Sequence, residues 1–288
     1  MSTILMRPLV LLPALALLLA SCTPYKPEPE RDVIYVPTPP AVVERMLQMA
    51  DVRSDDIVYD LGSGDGRIVI AAARERGARG VGVDIDPKLI EESRRNAAAA
   101  GVADKVRFVE ADLFVFDFHD ATVVMLYLGR SLNVRLRDRI LKELAPGTRI
   151  VSHAFDMGDW QPDEHAIVQE RDVFSWVVPA DVAGKWRWTE GSGRAGTPAE
   201  LEVAQSFQRF TGMLRGRREP QPVRDGALSG ERVSFTVART VDGETRRTRY
   251  DGRVVGDRIR GTVDAGAGPR PWLAERVPQN AAAPAAGR

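Results

Sequence analysis

A short apolar strand, Ile57-Val58-Tyr59-Asp60-Leu61, runs straight into Gly62-Ser63-Gly64-Asp65-Gly66, and helical spacing begins at Arg67. A strand that passes into a helix through three glycines marks an α/β unit whose backbone a ligand can approach closely, with the first amides of the helix facing it. The dinucleotide fingerprint G-x-G-x-x-G would need glycine at position 67, where this chain has arginine, so the tighter G-x-G-x-G speaks against NAD. The next strand, Gly80 to Asp84, ends on a carboxylate 18 residues past Gly66. That is close to the roughly 20-residue interval at which such a unit presents an acid to two ribose hydroxyls. After the third strand, Glu110-Ala111-Asp112 supplies a further contact at Ala111 and places Asp112 to accept from an adenine amino group. The order and spacing of these signals point to S-adenosylmethionine, held by Asp60, Gly62, Ser63, Gly64, Gly66, Asp84, Ala111 and Asp112.

Around this turn, strand-like and helical stretches alternate. Pro39 and Pro40 open a helix with Val42, Val43, Met46, Leu47 and Ala50 at helical spacing. Further helices are predicted over about 67–76, 86–100 and 132–144, and strands over 57–61, 80–84, 106–109, 122–128 and 149–153. This pattern predicts a Rossmann-like doubly wound sheet over 33–178, with its ligand beyond the carboxyl ends of the strands. From about 180 to 278 the texture is β-rich. Two similar segments, Gly226 to Val237 and Gly252 to Val263, each read as a strand, a glycine turn and a returning strand. With Trp186-Arg187-Trp188, the 201–210 region and Trp272-Leu273-Ala274, they predict a small antiparallel β-barrel or curled sheet.

The termini differ from both regions. Residues 1–22 carry Arg7, an apolar run from Leu9 to Leu19 and then Ala20-Ser21-Cys22, the pattern of an export signal ending in a lipobox with Cys22 as the lipidated residue. Cys22 is the only cysteine, which excludes internal disulfides and cysteine-built metal sites. Residues 23–32 read as a proline-rich tether, and 279–288 as a disordered tail. The leader predicts a membrane-anchored lipoprotein of the bacterial cell envelope; a cytoplasmic location is the alternative. Lys+Arg 40 against Asp+Glu 40 gives no electrostatic case for a nucleic-acid partner.

Tyr35-Val36-Pro37-Thr38-Pro39, then Val58 to Arg67, then Leu126-Tyr127-Leu128 followed by Asn133, resemble the seven-β-strand protein-lysine methyltransferases that modify adenine nucleotide translocase and the ATP synthase c-subunit, together with their bacterial relatives. The likeness covers about 130 residues; the leader and the β-rich region are no part of it. The resemblance implies that Tyr35 and Thr38 close over the methionine end of the cofactor and that Tyr127 lies near the transferring methyl. It also favours a protein lysine as acceptor.

Methyl transfer from a sulfonium is an in-line displacement that requires a positioned neutral nucleophile and no metal. Tyr127 and Asn133 are the catalytic candidates, and His153, Asp156, Asp159 and Trp160 fall on the same predicted edge. His153 is expected to be a strand-end histidine satisfied by backbone, and the two aspartates to solvate a loop. Two other readings compete with a protein or small-molecule methyltransferase: an exported binding protein with this fold and no catalysis, and an envelope module in which the β-rich region does the work.

Overall fold

A computed structural model describes residues 34–190, 196–216, 219–241 and 244–278. The leader, Cys22, the tether and the tail lie outside the described residues. The first half is a seven-stranded sheet in the order β3-β2-β1-β4-β5-β7-β6. Its parallel part consists of β1 (Ile57–Leu61), β2 (Arg79–Asp84), β3 (Val106–Glu110), β4 (Val123–Leu126) and β5 (Arg149–His153). The helices are α1 (Pro40–Met49), α2 (Arg67–Arg76), α3 (Pro87–Ala99) and α4 (Arg130–Glu143).

Central strands of a parallel sheet are covered on both faces, and β4 is buried at all four positions. Alternation then sorts neighbours to opposite layers. Val58, Val123, Met125 and Val151 pack with α1, α2 and α3, while Tyr59, Leu61, Val124, Leu126 and Ile150 pack with α4.

The sheet does not end at β5. A hairpin of β6 (Glu164–Val168) and β7 (Arg171–Val177) adds to it, with β7 antiparallel to β5, so the sheet is mixed rather than wholly parallel. Its turn carries Gln169 and Glu170 at φ 49° and 61°, without the Asn-Gly or Gly-Gly pair that would announce such a turn. As the sheet's outer strand, β6 shows no clean alternation of buried and exposed positions. These two properties hid the hairpin from periodicity.

The second half is a closed eight-stranded antiparallel barrel in the order β10-β11-β12-β13-β14-β15-β8-β9. Its strands are β8 (Gly184–Glu190), β9 (Thr197–Ser206), β10 (Arg209–Arg215), β11 (Gln221–Ser229), β12 (Arg232–Val241), β13 (Glu244–Val255), β14 (Arg258–Asp264) and β15 (Arg270–Arg276). Eight strands leave an interior just wide enough for side chains. Trp186, Trp188, Phe210, Phe235, Tyr250 and Trp272 occupy it, drawn from positions two apart where a strand gives more than one. Closure leaves no free sheet edge. The hairpins expected at Gly230 and Gly256 are present as β11–β12 and β13–β14.

Candidate functional site

The glycine turn sits at the carboxyl end of β1. The Gly62 and Ser63 amides both donate to the Val83 carbonyl, at 2.8 and 3.0 Å, which locks the turn to β2. Two side chains of α3 hold its carbonyls: the Ser93 hydroxyl donates to Gly64 at 2.8 Å and the Asn96 amide to Asp65 at 3.0 Å. Gly64 has φ +53°, and a Cβ there would lie 2.3 Å from the Tyr35 ring. Only glycine therefore lets the segment ahead of α1 close over the turn.

That segment is pinned by Arg67. Its guanidinium forks onto Asp65 at 2.6 and 2.9 Å and donates to the Thr38 carbonyl at 3.0 Å. Burial and the Asp65 carboxylate raise the Tyr35 phenol above its ordinary value.

Three carboxylates face this space. Asp60 is 2% exposed. Burial, and then the charges of Asp84 and Asp65, push it well above the usual carboxylate range. Burial also raises Asp84, against the amides of Asp86 and Gly64, which donate to its two oxygens at 2.9 and 2.8 Å. A carboxylate has about four acceptor sites, so Asp84 is oriented by backbone and keeps capacity for a ligand. The Ala111 amide donates to the Asp84 carbonyl at 3.0 Å, which brings Ala111 beside it. Asp112 is exposed, and one of its oxygens accepts from the Phe114 amide at 2.8 Å. The Ser63 hydroxyl is buried and has no partner among the described residues. A buried carboxylate among further negative charge suits a ligand that is cationic and carries hydrogen-bond donors. A sulfonium amino acid joined to a nucleoside fits that description.

The other edge of the site is aromatic. Tyr127 follows β4 directly and stacks on His153 at 3.8 Å between ring centroids, with Phe155 stacked at 6.1 Å. His153 is fully buried. Its Nδ1 is hydrogen-bonded to the Thr38 hydroxyl at 3.2 Å, and its Nε2 has no partner among the described residues. Desolvation, and then the charge of Arg171, lower it to about 4, so it stands neutral at physiological pH. The expectation of a backbone-satisfied histidine is corrected: its side-chain bond runs to Thr38 across the site. Asn133 is fully buried, with its amide donating to the Ser152 hydroxyl, to the Phe155 carbonyl at 3.0 Å and to the Asp156 carbonyl at 3.3 Å. The structure thus places it under the loop after β5, as a bracket. Asp156 and Asp159 do more than solvate that loop, since they pair with Arg130 and Arg137.

The pattern of the ANTKMT methyltransferase domain matches residues 60–164. A protein-lysine N-methyltransferase of Saccharolobus islandicus (strain REY15A) is 45% identical over 142 residues, which are 49% of this chain and 88% of that relative. The chain belongs to this methyltransferase family. A lysine N-methyltransferase of Mus musculus, named for the ATP synthase c-subunit, is 35% identical over 67% of this chain and 74% of its own length. A solved structure described as an RNA methyltransferase from Salinibacter ruber, in complex with S-adenosylhomocysteine, is 54% identical with a TM-score of 0.50, covering 51% of this chain and 96% of that one. The methyltransferase uses S-adenosylmethionine, and the matched domain pattern ends before the barrel begins.

Several residues that shape the methyltransferase site escape a reading of the sequence. Ser93 and Asn96 are three apart and so share one face of α3, a detectable pairing, but nothing in a sequence says that this face meets the turn. Arg67 shows itself there only as the residue that excludes a dinucleotide motif. The link from Thr38 to His153 spans 115 positions and has no local signal.

Proposed function

We propose that the methyltransferase acts on a lysine side chain of a protein acceptor. The observation that carries this reading is the wall formed by Tyr127, the buried neutral His153 and Phe155 beside the anionic cofactor pocket. When bound, S-adenosylmethionine supplies an electrophilic methyl group on a sulfonium. Asp60 would meet its positive charge, Asp84 the ribose hydroxyls and Asp112 the adenine, with Ala111 and the turn at Gly62, Ser63, Gly64 and Gly66 against the backbone side. Tyr35 and Thr38 would close the methionine end. A lysine with an ordinary pKa of about 10.4 must lose a proton before it can attack, and an aromatic, water-poor wall favours its neutral form. Tyr127 would orient that amine, and Asn133 would hold the loop that carries Phe155. The names of the archaeal and mouse relatives support lysine.

Exposed apolar side chains at Ile34, Tyr35 and Val36 ahead of α1, and at Phe155, suit a docking protein with apolar surface. We also infer that Cys22 carries a lipid that holds the enzyme at the cell envelope. Among the described residues no helix is long and apolar enough to cross a membrane. Intact-mass measurement of the purified chain tests the anchor: an unprocessed Met1 with unmodified Cys22 overturns it.

The reaction is tested by incubating the full chain with tritiated S-adenosylmethionine and either purified ATP synthase c-subunit or an envelope extract. Label on lysine, absent with Asp60→Ala, supports the proposal. Label sensitive to ribonuclease supports an RNA acceptor instead, the reading that the description of the Salinibacter relative favours. Tight cofactor binding with no labelled product supports a binding protein without catalysis.

A further inference from the structure

The loop that leaves β5, from Ala154 to Gln161, has its carbonyls claimed almost one after another. Asn133 takes those of Phe155 and Asp156, and Arg137 takes that of Met157 at 3.0 Å. The Trp176 indole donates to Trp160 at 2.9 Å, and the Gln208 amide donates to Gln161 at 2.7 Å. A loop bonded at so many carbonyls is confined to one path. The first three donors belong to the α/β half. The last belongs to the barrel.

Gln208 lies in the turn between β9 and β10, and the residue before it packs away from the barrel. Phe207 packs against the core of the α/β half and is no member of the barrel's own core. Its ring stacks on Trp160 at 5.8 Å with 12° between planes, and the Arg137 guanidinium stands 5.3 Å from its centroid. Its φ is +52°, the left-handed value that the first residue of this two-residue hairpin turn needs, and the turn thereby aims the ring out of the barrel. Trp160 is fully buried beneath it, and Arg137 is the residue that grips Met157. A second contact fixes the same approach: a Cβ on Gly230, in the β11–β12 turn, would lie 3.1 Å from the Gly147 Cα.

We infer that the barrel is the outer clamp of the acceptor-side loop, and that Phe207 is a positioning residue for methyl transfer. By seating Trp160 and Arg137, it holds the backbone that sets Phe155 beside Tyr127. The clamp stands on the contacts alone; its effect on the acceptor rests on the function proposed above.

The two parts are separated by hydrogen exchange and kinetics on the full chain, comparing wild type, Phe207→Ala, Phe207→Tyr and Gln208→Ala. In Phe207→Ala, exchange over residues 154–161 should rise about tenfold while S-adenosylhomocysteine affinity stays within about twofold. When the acceptor is purified c-subunit, KM should rise about fivefold with kcat nearly unchanged, and Phe207→Tyr should restore both readouts. Gln208→Ala, which leaves the stacked ring in place, should raise exchange only near residue 161. Unchanged exchange over 154–161 in a folded Phe207→Ala protein overturns the clamp. A rise in exchange spread evenly over the chain, or a parallel loss of cofactor affinity, reduces Phe207 to general stability and also overturns it. Faster exchange with an unaltered KM removes the acceptor role, and failure of every variant to label this acceptor counts against the lysine reading alone.

Discussion

The two edges of this active site are built in opposite ways. The cofactor edge, from Asp60 to Gly66, is tied to β2 and α3 by residues no more than about thirty positions away, including Asp84, Ser93 and Asn96. The edge proposed to meet the acceptor, from His153 to Gln161, is assembled from Thr38, Tyr127, Asn133, Arg137, Trp176, Phe207 and Gln208. The first is a local motif that any chain with these spacings can form. The second exists only when remote elements are all in place.

If the edges are separable, changes at one should leave the other's readout unmoved. The largest effect is expected at His153. Its folded value, about 4, lies below the unfolded one near 6.5, so as pH falls the unfolded chain takes up the proton first. The stability it confers is fully present above about pH 6.5 and is lost towards pH 4, by up to about 3 kcal/mol. Urea denaturation at pH 7 and pH 4.5 should show this slope in wild type and a shallower one in His153→Gln. Equal slopes would mean that the histidine is solvated after all.

Next comes Asp60→Ala. Removing a buried carboxylate that meets a cationic ligand should weaken S-adenosylmethionine binding about 100-fold, or about 2.7 kcal/mol, by calorimetric titration. Hydrogen exchange over 154–161 should not change, and a rise there would fuse the two edges into one unit. Asn133→Ala reverses the pattern. Carbonyls of Phe155 and Asp156 lose their donor, at a cost of about 2 kcal/mol in unfolding free energy. Methyl transfer should fall while cofactor affinity holds within about twofold; a matching loss of affinity contradicts separability. The smallest change is Ser93→Ala, which removes one tie to the Gly64 carbonyl. It should cost about 1 kcal/mol, read as a fall in S-adenosylhomocysteine affinity of about fivefold with acceptor KM intact.

The five parallel strands, three glycines and Asp84 were legible because each follows from periodicity or from spacing along one βαβ unit. The β6–β7 hairpin was not, since its turn lacks glycine and its outer strand lacks a clean alternation. The barrel was legible as hairpins and alternating aromatics such as Trp186 and Trp188, although closure is a property of all eight strands together. Asn133 shows the limit at the level of one residue. Its position in the loop-to-helix region was readable, but its burial beneath Phe155 and Asp156 depends on how α4 packs against β5.

The amino-acid sequence alone thus determined a nucleoside-binding turn, its carboxylates and an α/β sheet to carry them, because backbone freedom at glycine and the lengths of neighbouring elements act over short stretches of chain. Only the tertiary structure decided which remote side chains stand beside that turn. Thr38 reaches His153 across 115 residues and Gln208 reaches Gln161 across 47, and contacts at such separations are set by packing of whole elements, which no local pattern encodes.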